Sequence, residues 1–154
     1  MENRQPNSRH CFVCGLENPF GLKLRFNVTA PGEVSANYIF GEEYQGYPGV
    51  VHGGIVAAVL DETAGRSHMG VSPPRFMYTA KLEIRYRKNV PVGEPLRIVG
   101  TAGDTKRRTA MAHSAIYDRK GNLLAEADAI LVDVPSDIIG DIDLETLGWK
   151  VYAE

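Results

Sequence analysis

Val51-His52-Gly53-Gly54, followed after six intervening residues by Asp61-Glu62, is the segment of the chain with the clearest chemical potential. Two adjacent glycines let a ligand approach the backbone closely. If they open a helix, its first turn offers unpaired N–H groups and the positive end of the helix dipole. A carbonyl oxygen held there is polarised, and the oxyanion formed on attack is stabilised. The loss of one such donor typically costs about 2.7–4 kcal/mol in barrier. Asp61 lies amid Val59, Leu60 and Ala64. A carboxylate on an apolar helix is costly unless it is paired or functional. It can attack a carbonyl directly or act as base for a water. Glu62 falls about 100° around the helix from Asp61, so the two are not expected to face one site. His52 reads as a tether for the loop rather than a proton carrier. Alone, His52-Gly53-Gly54 fits a plain loop before a helix. The carboxylate at this offset on an apolar helix favours chemistry.

These residues need a helix and a sheet to hold them. From Gly53, Ile55, Val56, Val59, Leu60 and Ala64 recur at helical spacing, and no proline interrupts until Pro73. Ala57 and Ala58 fill the opposite side, which predicts a helix buried on most sides. Its end is expected near Gly70, before Ser72-Pro73-Pro74. Ahead of it, Leu22, Leu24 and Phe26 alternate with polar residues as in a strand, Pro31-Gly32 marks a turn, and residues 34–40 can return as a hairpin partner. Residues 41–51 read as a loop. After the helix, Leu82, Ile84 and Tyr86 alternate with charged residues as a strand. Further strands are expected over 96–104, 109–117 and 123–132, with Asp118-Arg119-Lys120-Gly121-Asn122 as a hairpin turn. Residues 1–9 read as a flexible arm. The tail, 136–154, is expected to form a short helix around Leu144 to Trp149. One antiparallel sheet curved around one helix is the natural α+β solution, and no βαβ repeat is visible.

The chain has 154 residues and 44% hydrophobic residues, which fits one domain with a real core. Lys and Arg total 17 against 19 Asp and Glu, a net charge of -2 that excludes a general nucleic-acid binder. No apolar run is long enough to span a bilayer and the polar N-terminus shows no signal peptide, so a cytoplasmic protein without membrane partners is expected. Cys11 and Cys14 form a single C-x-x-C pair. With His10 beside them they invite a zinc reading, but structural zinc sites need four ligands and the set is incomplete. A buried turn is the plainer reading. Neither a metal nor a cofactor is expected. Lys106-Arg107-Arg108, with Arg85, Arg87 and Lys88, forms the main basic clustering, either a solvated surface or a place for phosphate groups.

The stretch from Gly49 to Ala64, with its H-G-G, six mostly apolar residues and an acidic residue, resembles the signature of hot-dog-fold thioesterases of the phenylacetate-degradation type. The segment from Cys11-Phe12-Val13-Cys14-Gly15 to Leu24 is similar to one common in a branch of that group. The resemblance covers roughly residues 10–134. It implies a curved antiparallel sheet of five or six strands wrapped around one long central helix. It also implies homodimers or homotetramers with active sites at the subunit interface, and acyl-CoA thioester substrates. By that resemblance the acidic residue maps onto Asp61, and the N–H that binds the thioester oxygen onto Gly53 or Gly54. Thr79, on the strand after the helix, would help position the water and would come from the partner subunit. Many relatives carry Asn or Gln about six residues before the histidine. Gly46 stands there in this chain, with Gln45 adjacent as a substitute. The basic residues named above would take the CoA phosphates. Two other readings share the fold: an acyl-CoA hydratase or dehydratase, and a non-catalytic acyl-CoA-binding protein.

Overall fold

α1 (Gly53–Met69) is the axis on which the rest of the chain packs. A computed structural model describes residues 3–70, 74–140 and 143–153, so Ser72 and Pro73, expected just beyond the helix, lie outside the described residues. Val56, Val59, Leu60, Thr63, Ala64, Arg66, Ser67 and Met69 are buried. Each large apolar side chain among them contributes on the order of 1.5–3 kcal/mol by leaving water. Ala57, Ala58, Asp61, Gly65 and His68 are only partly covered and form a more open stripe. The helix ends at Gly70, whose φ of 70° suits glycine.

Around α1 curves one six-stranded antiparallel sheet. Its strands are β1 (Asn27–Ala30), β2 (Glu33–Ile39), β3 (Met77–Tyr86), β4 (Pro95–Lys106), β5 (Thr109–Tyr117) and β6 (Leu123–Asp133). The order in space is β1-β2-β4-β5-β6-β3. The chain leaves α1, runs along the far edge as β3, and returns to the middle as β4. The sheet sits close to the helix because its facing residues are small, including Ala112, Ser114, Ala127 and Ala129. At Gly100 a Cβ would lie 2.4 Å from the Thr63 carbonyl oxygen, so only glycine permits that approach. Ser114 seals the contact by donating to the Leu60 carbonyl at 2.8 Å.

Three expectations are corrected. The first ladder strand is residues 27–30, not Leu22 to Phe26. Leu22, Leu24 and Phe26 are buried as their alternation implies, but Leu22 and Leu24 donate to the carbonyls of Phe12 and Val13 in the preceding loop. Residues 3–9 are a docked strap rather than a flexible arm. Gln5 is fully buried, and its side chain donates to the carbonyls of Arg66 and Gly70, satisfying two orphan acceptors at the helix C-terminus. Asn7 exchanges backbone hydrogen bonds with Lys150. In the tail, the short helix is α2 (Ser136–Gly140), and residues 144–148 are turns. No helix among the described residues is long and apolar enough to cross a membrane.

Candidate active site

His52 caps α1. Its Nδ1 accepts from the Gly54 N–H at 2.9 Å, and its carbonyl takes the N–H groups of both Ile55 and Val56. Of the first-turn donors, the Gly53 N–H alone has no acceptor among the described residues. Tyr86, at the end of β3, fixes this glycine from the other side by donating its hydroxyl to the Gly53 carbonyl at 2.7 Å. Nothing but its place in a strand marked that tyrosine in the sequence. A cavity of about 600 Å³ opens here, bordered by Gly46, Tyr47, His52, Gly53, Tyr86 and Lys88.

Asp61 lies on the open stripe of α1. Thr79 Oγ1 donates to Asp61 Oδ1 at 2.5 Å within the same chain. The expectation that this hydroxyl comes from the partner subunit is therefore corrected. Strand irregularity makes the contact. Counting back from inward-facing Leu82, simple alternation would turn Ala80 inward and Thr79 outward. The register shifts between Thr79 and Lys81, leaving Ala80 unpaired as a bulge. Thr79 is thereby paired with buried Leu131 and faces the helix. Asp61 and Thr79 border a cavity of about 500 Å³ whose other walls include Met69, Phe76, Met77, Leu144, Leu147 and Trp149. Glu62 borders it too, against the expectation that neighbouring carboxylates could not share one site. It does so from a different wall, held by Arg66 at 3.0 Å.

The two cavities have no lining residue in common. Gly53 and Asp61 are eight residues apart on one helix, so about 12 Å of helix rise separates them. One carbonyl cannot touch both within a chain. That removes the simple picture in which the Gly53–Gly54 turn holds a substrate against the same chain's Asp61.

The remaining candidates are scattered. Gln45 is exposed, and its side-chain oxygen accepts from the Gly49 N–H at 3.3 Å rather than bordering the Gly53 cavity. Arg85 pairs with Glu83 and Arg87 with Glu126. Lys88 borders the Gly53 cavity. Lys106, Arg107 and Arg108 form the exposed β4–β5 turn, with Arg107 at φ 54°. Arg108 also stands beside Arg75 and Phe76, which border the Asp61 cavity. Among the described residues, Cys11, Cys14 and Glu62 are the one group arranged closely enough to hold a metal.

The family model described as thioesterase superfamily matches residues 48–125. A Rattus norvegicus protein named acyl-coenzyme A thioesterase THEM4 is 42% identical over 92 residues, which cover 59% of this chain and 39% of the rat protein. The chain thus spans about two-fifths of that relative's length. A crystal structure of a thioesterase superfamily protein superposes with a TM-score of 0.74 at 28% identity, covering 80% of this chain and 63% of the other. A Streptococcus mutans UA159 protein solved with acetyl CoA shares the fold, with a TM-score of 0.65 at 20% identity over 72% of this chain and 88% of its own.

Proposed function

Because the chain belongs to the thioesterase superfamily, we propose that it hydrolyses acyl-CoA thioesters at a site completed by a second copy of itself. The observation that carries this reading is Asp61, held by the Thr79 hydroxyl at the edge of a largely apolar cavity. The rat relative's name and the acetyl CoA in the streptococcal structure support the substrate class.

The acyl group occupies the cavity bordered by Met69, Phe76, Met77, Leu147 and Trp149. Thr79 fixes one carboxylate oxygen of Asp61, and the other accepts a proton from a water. The hydroxide so formed attacks the thioester carbon, and negative charge collects on the carbonyl oxygen. The Gly53 N–H of the second copy donates to that oxygen, with the α1 dipole adding to its stabilisation. The carbon–sulfur bond then breaks. The sulfur leaves with its electron pair and takes the proton from Asp61, giving the free acid and CoA. The separation of Gly53 from Asp61 along one helix supports assembly from two copies. Of the two N–H groups in the glycine pair, Gly53's fits the role, since Gly54's is already bonded to His52. Lys88, beside Gly53, and the Lys106–Arg108 turn, nearer the Asp61 cavity, are the candidate holds for the CoA phosphates.

The test is free-thiol release from a panel of acyl-CoAs by wild type and Asp61→Asn. Release by wild type alone supports the assignment, and equal release by both removes Asp61 from it. A single turnover in heavy-oxygen water separates the two routes. Label in Asp61 marks direct attack followed by water at the Asp61 carbon, and label in the acid with no acyl-enzyme trapped by hydroxylamine marks a water attacking the substrate.

A further inference from the structure

The turn Cys11–Gly15 takes no part in that chemistry, yet it sets two thiols against a carboxylate of α1. Cys11 Sγ, Cys14 Sγ and a Glu62 carboxylate oxygen all lie within 4.8 Å of one another. Cys11 Sγ is 3.7 Å from Glu62 Oε2. We propose that Cys11, Cys14 and Glu62 bind one zinc ion, leaving its fourth position open toward the Asp61 cavity.

The spacing suits the ion. Zinc bonds of about 2.3 Å to sulfur and about 2.0–2.2 Å to oxygen give tetrahedral edges of roughly 3.5–3.8 Å. The Cys11–Glu62 separation already has this length. The turn is fixed independently of any ion. Gly15 donates to the Cys11 carbonyl at 2.8 Å, and a Cβ on Gly15 would lie 2.4 Å from that oxygen. Asn7 holds the Cys14 carbonyl at 2.7 Å, and Ser8 Oγ accepts from the Cys11 N–H at 3.0 Å.

The carboxylate is fixed as well. Arg66 Nε takes Glu62 Oε1 at 3.0 Å, which leaves Oε2 beside the Cys11 sulfur. Arg66 is itself buried, donates to the Pro6 carbonyl at 2.6 Å and lies against the rings of Phe26 and Trp149. A ligand carboxylate anchored by an outer hydrogen bond is the usual support for a metal. Charge closes too: two thiolates and Glu62 carry -3, and a dication with Arg66 carries +3. A half-buried cluster that sums to zero avoids the cost of a lone buried charge.

The thiols differ in acidity. The Cys11 thiol is lowered to about 7, first by a hydrogen bond from Cys14 and also by the amides of Cys14 and Val13. Cys14 is raised by its bond to Cys11, by burial and by the Glu62 charge. A cation reverses that last effect, because it turns the carboxylate from a repelling neighbour into a co-ligand. A disulfide would use the sulfurs but give Glu62 no role, and a carboxylate beside a thiol opposes thiolate formation.

The test uses the full chain, reduced, chelator-treated and kept from air, titrated with cobalt(II) and then with zinc. One equivalent of cobalt should bind per chain with a thiolate-to-cobalt charge-transfer band of two-thiolate intensity, and zinc should displace it. Affinity should rise with pH, because the thiol protons are released on binding. Cys11→Ser should halve the band. Glu62→Gln keeps the side-chain shape and an oxygen for Arg66, and should weaken binding at least about tenfold with the band shape of two thiolates retained. The proposal is overturned if folded wild type binds neither ion at micromolar concentration. It is equally overturned if Glu62→Gln binds as tightly as wild type, or if exposure to air yields a Cys11–Cys14 disulfide in a chain that takes up no metal.

Discussion

The two ends of the Gly53–Asp61 segment are built in opposite ways. At Gly53 the proposed working group is a backbone N–H, set by the histidine cap and by Tyr86, on exposed chain. At Asp61 it is a side chain, set by a hydroxyl from a bulged edge strand, on a half-covered stripe. A backbone donor needs no particular side chain, so it tolerates exposure and is spoiled chiefly by losing the N–H. A carboxylate must be aimed, so it depends on the register of a strand distant in sequence. The two groups stand eight residues apart on one helix, so the proposed reaction at one carbonyl needs a second copy to supply one of them.

The sharpest test of that contrast is Asp61→Asn. It should lower kcat about a thousandfold while acyl-CoA binding persists, read by thiol release and by titration calorimetry. Gly53→Pro attacks the other half. Proline is well tolerated at the first helical position, and a Cβ there meets nothing closer than 3.6 Å, so the fold should hold. Without the N–H, kcat should fall roughly a hundredfold or more. Mixing the two inactive variants under conditions of subunit exchange should then restore about a quarter of wild-type activity, since half the dimers are mixed and each carries one intact site. No recovery from demonstrated mixed dimers would remove the Gly53 N–H and Asp61 from a shared site. Thr79→Ala should cost about tenfold in kcat, near the value of one hydrogen bond to a charged group. The smallest effect sorts the basic residues. Lys88→Ala or Arg108→Ala should raise KM by roughly two- to fivefold, in a salt-sensitive way, at whichever cavity takes the CoA phosphates.

Much of this was legible in the sequence because it rests on short-range pattern. The helix from Gly53, the hairpin turn at Asp118 and the strands after it follow from spacing and from turn residues. Asp118 shows why: its side chain accepts from the N–H groups of Lys120 and Asn122, a bond set that local sequence dictates. Asp61 stood out because a carboxylate among apolar residues is conspicuous. The orientation of Thr79 was hidden, since a one-residue bulge reverses the parity that alternation implies. Glu62 as a partner for the thiols was hidden too, because Cys11 and Glu62 meet only through the fold. The strap at residues 3–9 looked free because its polar residues, Gln5 and Asn7, are ones that usually face water. Here they are buried, and their side chains satisfy backbone groups.

The Ala80 bulge also bears on how this chain can change length. Losing Ala80 would leave Thr79 directly before Lys81, in ordinary alternation, and its hydroxyl would still face the helix. The edge strand would straighten without surrendering the contact to Asp61. An insertion beside Ala80 has no such latitude, for a further residue must either enlarge the bulge or turn the threonine away. Around Thr79, shortening by one residue is silent where lengthening by one is not.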